Sequence, residues 1–160
     1  MQEVKVKRSL VNFKRERVIL EMEISEIVGR LFVAFLLGSI IGWEREKKRR
    51  SAGFRTHILV CVGSTLIMLV SLHIYEIYKD VASLDPARIA AGVVTGIGFL
   101  GAGAIIRSAQ QIRGLTTAAS IWTSAAIGLA VGCGFFSAAV VTTFFVFITL
   151  SILKIVENKL

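Results

Sequence analysis

Hydrophobic and polar positions fall in long blocks along this chain. Apolar stretches run over roughly Ile27–Trp43, His57–Tyr75, Ile89–Ile106, Leu115–Cys133 and Phe135–Leu153, with charged or polar segments between them. A helix needs about 20 mostly apolar residues to cross the hydrocarbon core of a bilayer. Five spans are therefore predicted, the first being the shortest. From Thr56 to Leu153 the charged residues are only Glu76, Lys79, Asp80, Asp85, Arg88, Arg107 and Arg113. Arg30, near the start of the first span, is placed to snorkel toward the headgroups. The expected fold is an all-α polytopic membrane protein, a compact bundle of about five transmembrane helices with a glycine-rich central helix. The pattern divides the chain into a tail over 1–26, a transmembrane domain over 27–153 and a short tail over 154–160.

Glycine supplies the packing expectation. Gly38-x-x-x-Gly42, Gly92-x-x-x-Gly96 and Gly128-x-x-x-Gly132 each put two glycines on one helix face, where backbones can approach closely. Gly98, Gly101 and Gly103 add to the third span, which is expected to be kinked or partly unwound where protein buries it. On a soluble protein, Gly96-x-Gly98-x-x-Gly101 would suggest a dinucleotide-binding turn. That turn needs a preceding strand and an acidic residue about 20 residues on. Neither is present, so the glycines are assigned to helix packing, within one chain or between chains.

Composition narrows the class. Hydrophobic residues make up 54% of the chain and its mean hydropathy is +0.72, above the range of a typical soluble domain. The net charge of +8 would suggest nucleic acid in a soluble protein, but here the basic residues flank apolar spans as membrane-loop charges do. No nucleic-acid partner is expected. Cys61 and Cys133 fall in apolar spans without metal-ligand spacing, and neither a metal nor a cofactor is expected.

Basic residues also set orientation. The segment Glu44–Arg55 holds six, the turn Arg107–Arg113 two and the C-terminal tail two, which assigns that side and the C-terminus to the cytoplasm. The other side carries nine, six of them before Met22. Either the Glu44–Arg55 loop overrides the rule, or the native protein begins at Met22 and leaves an acidic stub with Glu23 and Glu26. The second is the expectation.

Polar groups at span margins are the functional candidates, because burying them in hydrocarbon is costly unless they are paired or face water. They are Glu44, Arg45, Arg55, Asp85, Arg88, Arg113, Thr116 and Thr117. Glu44, Arg45 and Arg55 are either solvated interfacial charges or a network at the cytoplasmic mouth of the bundle. Asp85 reads as a helix cap with Pro86 at the first helical position. His57 and His73 read as packing residues and Trp43 and Tyr75 as interface anchors. Trp122 is expected to pack against another helix. No serine has a plausible nearby base and no two carboxylates share a span, so no enzyme constellation and no catalytic residue is expected.

With these residues in view, the chain resembles the MgtC/SapB family of bacterial inner-membrane proteins over roughly Ile27–Leu153. The resemblance rests on Gly42-Trp43-Glu44-Arg45, Gly53-Phe54-Arg55-Thr56-His57, Asp85-Pro86-Ala87-Arg88-Ile89-Ala90-Ala91, Gly96–Gly103, and Arg113-Gly114-Leu115-Thr116-Thr117-Ala118-Ala119 with Trp122. It implies a multi-pass inner-membrane protein linked to adaptation to low magnesium. Long members carry an ACT-like soluble domain after the last helix, and this sequence reads as a short form without it. Two function classes follow. One is a regulatory protein acting on other membrane proteins or on a second copy of itself within the lipid bilayer; the other is a small transporter or channel for Mg²⁺ or another solute.

Overall fold

The computed structural model describes residues 2–79, 83–108 and 111–152, with side chains from residue 24 onward. The expected tail over 154–160 and the side chains around the expected start at Met22 lie outside the described residues. Among the described residues five helices follow one another: α1 (Gln2–Lys47), α2 (Phe54–Tyr78), α3 (Ala87–Ala104), α4 (Leu115–Gly132) and α5 (Phe136–Ser151). Four segments of the described residues are long and apolar enough to cross a membrane, namely Ile24–Lys47, α2, α3 and α4; α5 has 16 residues.

Two of the three glycine pairs set the helix arrangement. An added Cβ at Gly42 would come within 2.8 Å of the Phe54 backbone, and one at Gly38 within 3.0 Å of Cys61 Cβ. Further along α2, a Cβ at Gly128 would drive into the Cys61 carbonyl, and one at Gly132 would lie 2.8 Å from Thr65 O. Helix α2 thus packs on both α1 and α4 through glycine faces that let backbones approach, and the three helices meet around Cys61. Thr65 Oγ1 stands at the closest approach, 3.0 Å from its own helix's Cys61 O and 2.8 Å from Gly128 O. Around this seam pack Ala34, Leu37, Ile41, Cys61, Ile127 and Val131, all buried, with Ala139 and Leu150 from α5.

The third pair behaves differently. A methyl added at Gly92, Gly96, Gly98 or Gly103 would have nothing within 4 Å, and at Gly101 alone it would meet a neighbour, Ala118, at ordinary distance. The glycine-rich helix is therefore not the centre of the bundle. That place belongs to α4, which packs on all four other helices and has half of its span buried. Helix α3 lies against α4 and α2 through Val93, Ile97 and Gly101, and it is one continuous α-helix without an unwound segment. The physical reason is that glycine permits close approach without attracting a partner. Small serine and alanine side chains on α4 (Ser120, Ser124, Ala125) take the central position instead.

Helix α3 ends before its apolar run does. Ile105 turns extended, and Ile106–Arg107 pairs antiparallel with Ile112–Arg113 in a two-residue ladder, β1 and β2. Gly114 then turns the chain into α4 at φ +92°, where a Cβ would strike the Ala104 carbonyl.

Candidate functional site

The sequence places Glu44 and Arg45 where α1 leaves the apolar zone, and the fold puts the C-terminus of α5 against them. Both are buried, 5% and 2% exposed. Arg45 Nε donates to Glu44 Oε2, while its terminal nitrogen donates to Leu150 O at 3.3 Å. Lys48 Nζ lies 2.7 Å from Glu44 Oε1, a charge contact off the hydrogen-bond axis, and donates to Leu150 O at 2.7 Å. The last carbonyls of a helix lack intrahelical partners and carry the negative end of its dipole. One carboxylate and two cations thus form a cluster that engages the Leu150 carbonyl at the end of α5.

Arg30 plays a related part toward the other end of the apolar segment Ile24–Lys47 of α1. It donates to Gly132 O and pairs with Glu26 one turn away. Its guanidinium caps α4, lying against Gly134 where the chain turns at φ +84°. The two clamps sit about 22 Å apart along α1 at 1.5 Å per residue. That is close to the roughly 24 Å length of α5, which runs between them.

A third polar contact ties α2 to α4. His57 is fully buried; its Nδ1 donates to Gly53 O at 2.9 Å, so in the neutral ring Nε2 accepts from Ser120 Oγ at 3.0 Å. Ser120 has one proton to share between Nε2 and the Thr117 carbonyl at 2.9 Å. The expected packing role for His57 matches this fully partnered position. Leaving a buried donor or acceptor unpaired costs about 1–3 kcal/mol. Ser120→Ala is therefore expected to lose that much stability in detergent unfolding, while Thr123→Ala, whose hydroxyl bonds its own helix on the exposed face, leaves it unchanged.

The remaining candidates are dispersed. Arg55 is exposed and takes no part in the Glu44 cluster; of the two readings for Glu44, Arg45 and Arg55, the network forms at Glu44 and Arg45 with Lys48, which lies one helical turn from Glu44, and Arg55 is the exposed charge. Asp85 caps α3 as expected: Oδ1 accepts from Ala87 N at 2.9 Å and Pro86 has helical dihedrals, φ −62° and ψ −21°. Arg88 and Thr116 are exposed, Thr117 is buried, and Arg113 donates to Gln111 Oε1 at 2.8 and 3.0 Å within the hairpin. Trp122 is half exposed, so it faces outward, contrary to its expected packing role. Trp43 is exposed at the end of α1 with Lys47 Nζ 5.6 Å from its ring. Cys61 is buried and Cys133 exposed. Among the described residues no group of three or more His, Cys, Asp or Glu is placed to hold a metal ion.

Long apolar helices, with basic residues gathered in the α1–α2 turn and the α3–α4 hairpin and polar contacts at helix ends and in one buried seam, define a multi-pass helical membrane protein. Residues 31–159 match the MgtC family, and the chain belongs to that family. It is 47% identical to YhiD of Escherichia coli over 114 residues, 70% of this chain and 53% of that protein. It is 43% identical to MgtC of Brucella abortus over 123 residues, 76% of this chain and 48% of that protein. SapB of Bacillus subtilis is 38% identical over 140 residues, 84% of this chain and 60% of that protein. The chain thus spans about half the length of the curated relatives it matches. No solved structure matches it.

Proposed function

We propose that this chain is a non-enzymatic regulatory protein of the bacterial inner membrane, acting in adaptation to low magnesium through contacts of its helix faces with other membrane proteins or a second copy. In this reading α5 is a fifth span, and the C-terminus shares the cytoplasmic side with the basic loop after α1. The name of the Brucella relative, MgtC, and that of the Escherichia coli relative, a candidate magnesium transporter, support the link to magnesium. The observation that carries regulation over transport is the state of the five described carboxylates. Glu26 is held by Arg30, Glu44 by Arg45 and Lys48, and Glu76 by Lys79. Glu46 and Asp85 accept backbone N–H groups of Phe54 and Ala87. Mg²⁺ dehydrates reluctantly and is usually bound through one or two carboxylates with several retained waters. Carboxylates engaged by the chain's own cations and helix ends serve the fold.

Radiolabelled Mg²⁺ uptake into proteoliposomes of the folded protein tests this. The expected rate equals that of protein-free vesicles. Uptake above that control would overturn the reading, and Asp85→Asn, which keeps a capping side chain while removing its charge, would then report whether that carboxylate carries the flux.

A further inference from the structure

The turn between α1 and α2 encloses a crevice of about 610 Å³ at the end of both spans, lined by Trp43, Arg50, Ser51, Phe54, Arg55 and Thr56. Arg50 and Arg55 are exposed, and among the described residues neither side chain has a hydrogen bond or ion pair. This sets them apart from Arg30, Arg45 and Lys48, which the fold consumes. Glu46 also borders the crevice, but its Oε2 accepts the Phe54 N–H at 3.0 Å and so serves α2. With Lys47 beside Trp43, cations outnumber that carboxylate three to one. The crevice does not open on water alone. Phe32, Leu36, Ile40 and Trp43 are all exposed, and their spacing of four, four and three residues lays them on one face of α1. That apolar stripe ends in the crevice at Trp43.

We propose that this crevice binds an anionic phospholipid, the phosphate held between Arg50 and Arg55 and the acyl chains lying along the Phe32–Trp43 stripe. Guanidinium groups match phosphate oxygens through parallel hydrogen bonds. Thr56 and Ser51 add hydroxyls at the same level, and Trp43 occupies the interfacial depth that indoles favour. A free phosphate would use the arginines and leave the stripe without a role; a zwitterionic lipid would cover the stripe and bring a choline charge to the arginines. The proposal needs only that the helices are embedded, and it stands whether or not the protein conducts ions.

The test uses the full chain carrying Trp122→Phe, a substitution at a half-exposed position, so that Trp43 is its one indole. Two sets of phosphatidylcholine vesicles are compared, one with about one-tenth of the lipid as bromine-labelled phosphatidylglycerol, the other with the same fraction of bromine-labelled phosphatidylcholine. Trp43 fluorescence should be quenched far more in the first. Each arginine near an anionic lipid contributes about fivefold, so a preference of roughly 30-fold is expected. Arg50→Gln with Arg55→Gln should abolish the preference without loss of fold, since neither side chain has a partner to lose. Equal quenching in both vesicle sets would overturn the proposal, as would a preference that survives the double substitution. Relief of quenching by millimolar inorganic phosphate would overturn it in favour of a free-anion site. Native mass spectrometry of the unsubstituted protein with the same two lipids gives the same comparison if Trp122→Phe perturbs folding: retained phosphatidylglycerol supports the proposal, and equal retention of both overturns it.

Discussion

Gly128→Ala is expected to destabilise the bundle by about 3 kcal/mol, the upper end of the usual cost of overpacking a core. At Gly96 the same change should leave stability unaltered or slightly raised. The added methyl at Gly128 would meet the Cys61 carbonyl and lie 2.9 Å from Ser64 Cβ. Backbone cannot rotate away as a flexible side chain can, so α2 and α4 must separate. That separation also stretches the Thr65 contact to Gly128 O and draws His57 away from Ser120. At Gly96 the methyl enters open space, and alanine is the better helix former by about 0.8–1.0 kcal/mol in water. Thermal unfolding of the two variants in one detergent compares them directly. Equal losses would mean that the glycine face of α3 is packed in the protein as purified, and would locate that packing between chains.

That contrast marks what could be read from the residues alone. All five helices lie where the apolar runs place them, within a few residues at each end apart from the long N-terminal extension of α1, because the cost of exposing backbone groups to hydrocarbon leaves helix as the solution for a long apolar run. The Asp85–Pro86 start of α3 was equally legible, since capping is a local matter settled by neighbouring residues. The glycine pairs were identical in spacing, yet two are packed and one is open. Spacing fixes the face on which two glycines lie; whether another helix comes to that face depends on the whole bundle. The same limit governed the charges. Glu44 beside Arg45, with Lys48 one turn on, was visible as spacing, but the carbonyls of α5 that complete the cluster come from residues about 100 positions away. The partner of Arg30 was hidden for the same reason, since Gly132 is equally remote.

Glu44→Ala is expected to cost about 3–5 kcal/mol, the usual penalty for removing one member of a buried ion pair, and to exceed the effect of any other single charge removal among the described residues. The loss is not simply the attraction between Glu44 and Arg45. Without the carboxylate, Arg45 stays buried with Leu150 O as its one described protein partner, and Lys48 loses its charge contact. An uncompensated guanidinium in that position must either draw water into the end of the bundle or swing outward. Swinging outward would leave the Leu150 carbonyl to Lys48 alone, so the damage should reach the helix that the cluster caps. Glu76→Ala, which breaks an exposed pair with Lys79, should by comparison change stability by less than about 1 kcal/mol. A double variant, Glu44→Gln with Arg45→Met, separates the two sources of loss: if the single substitution is costly because it strands a buried charge, removing both charges restores much of the stability. Unfolding midpoints of the four proteins in the same detergent, with hydrogen exchange across residues 145–152, decide the matter. A double variant no more stable than Glu44→Ala would mean that the ion pair itself holds α5 in place.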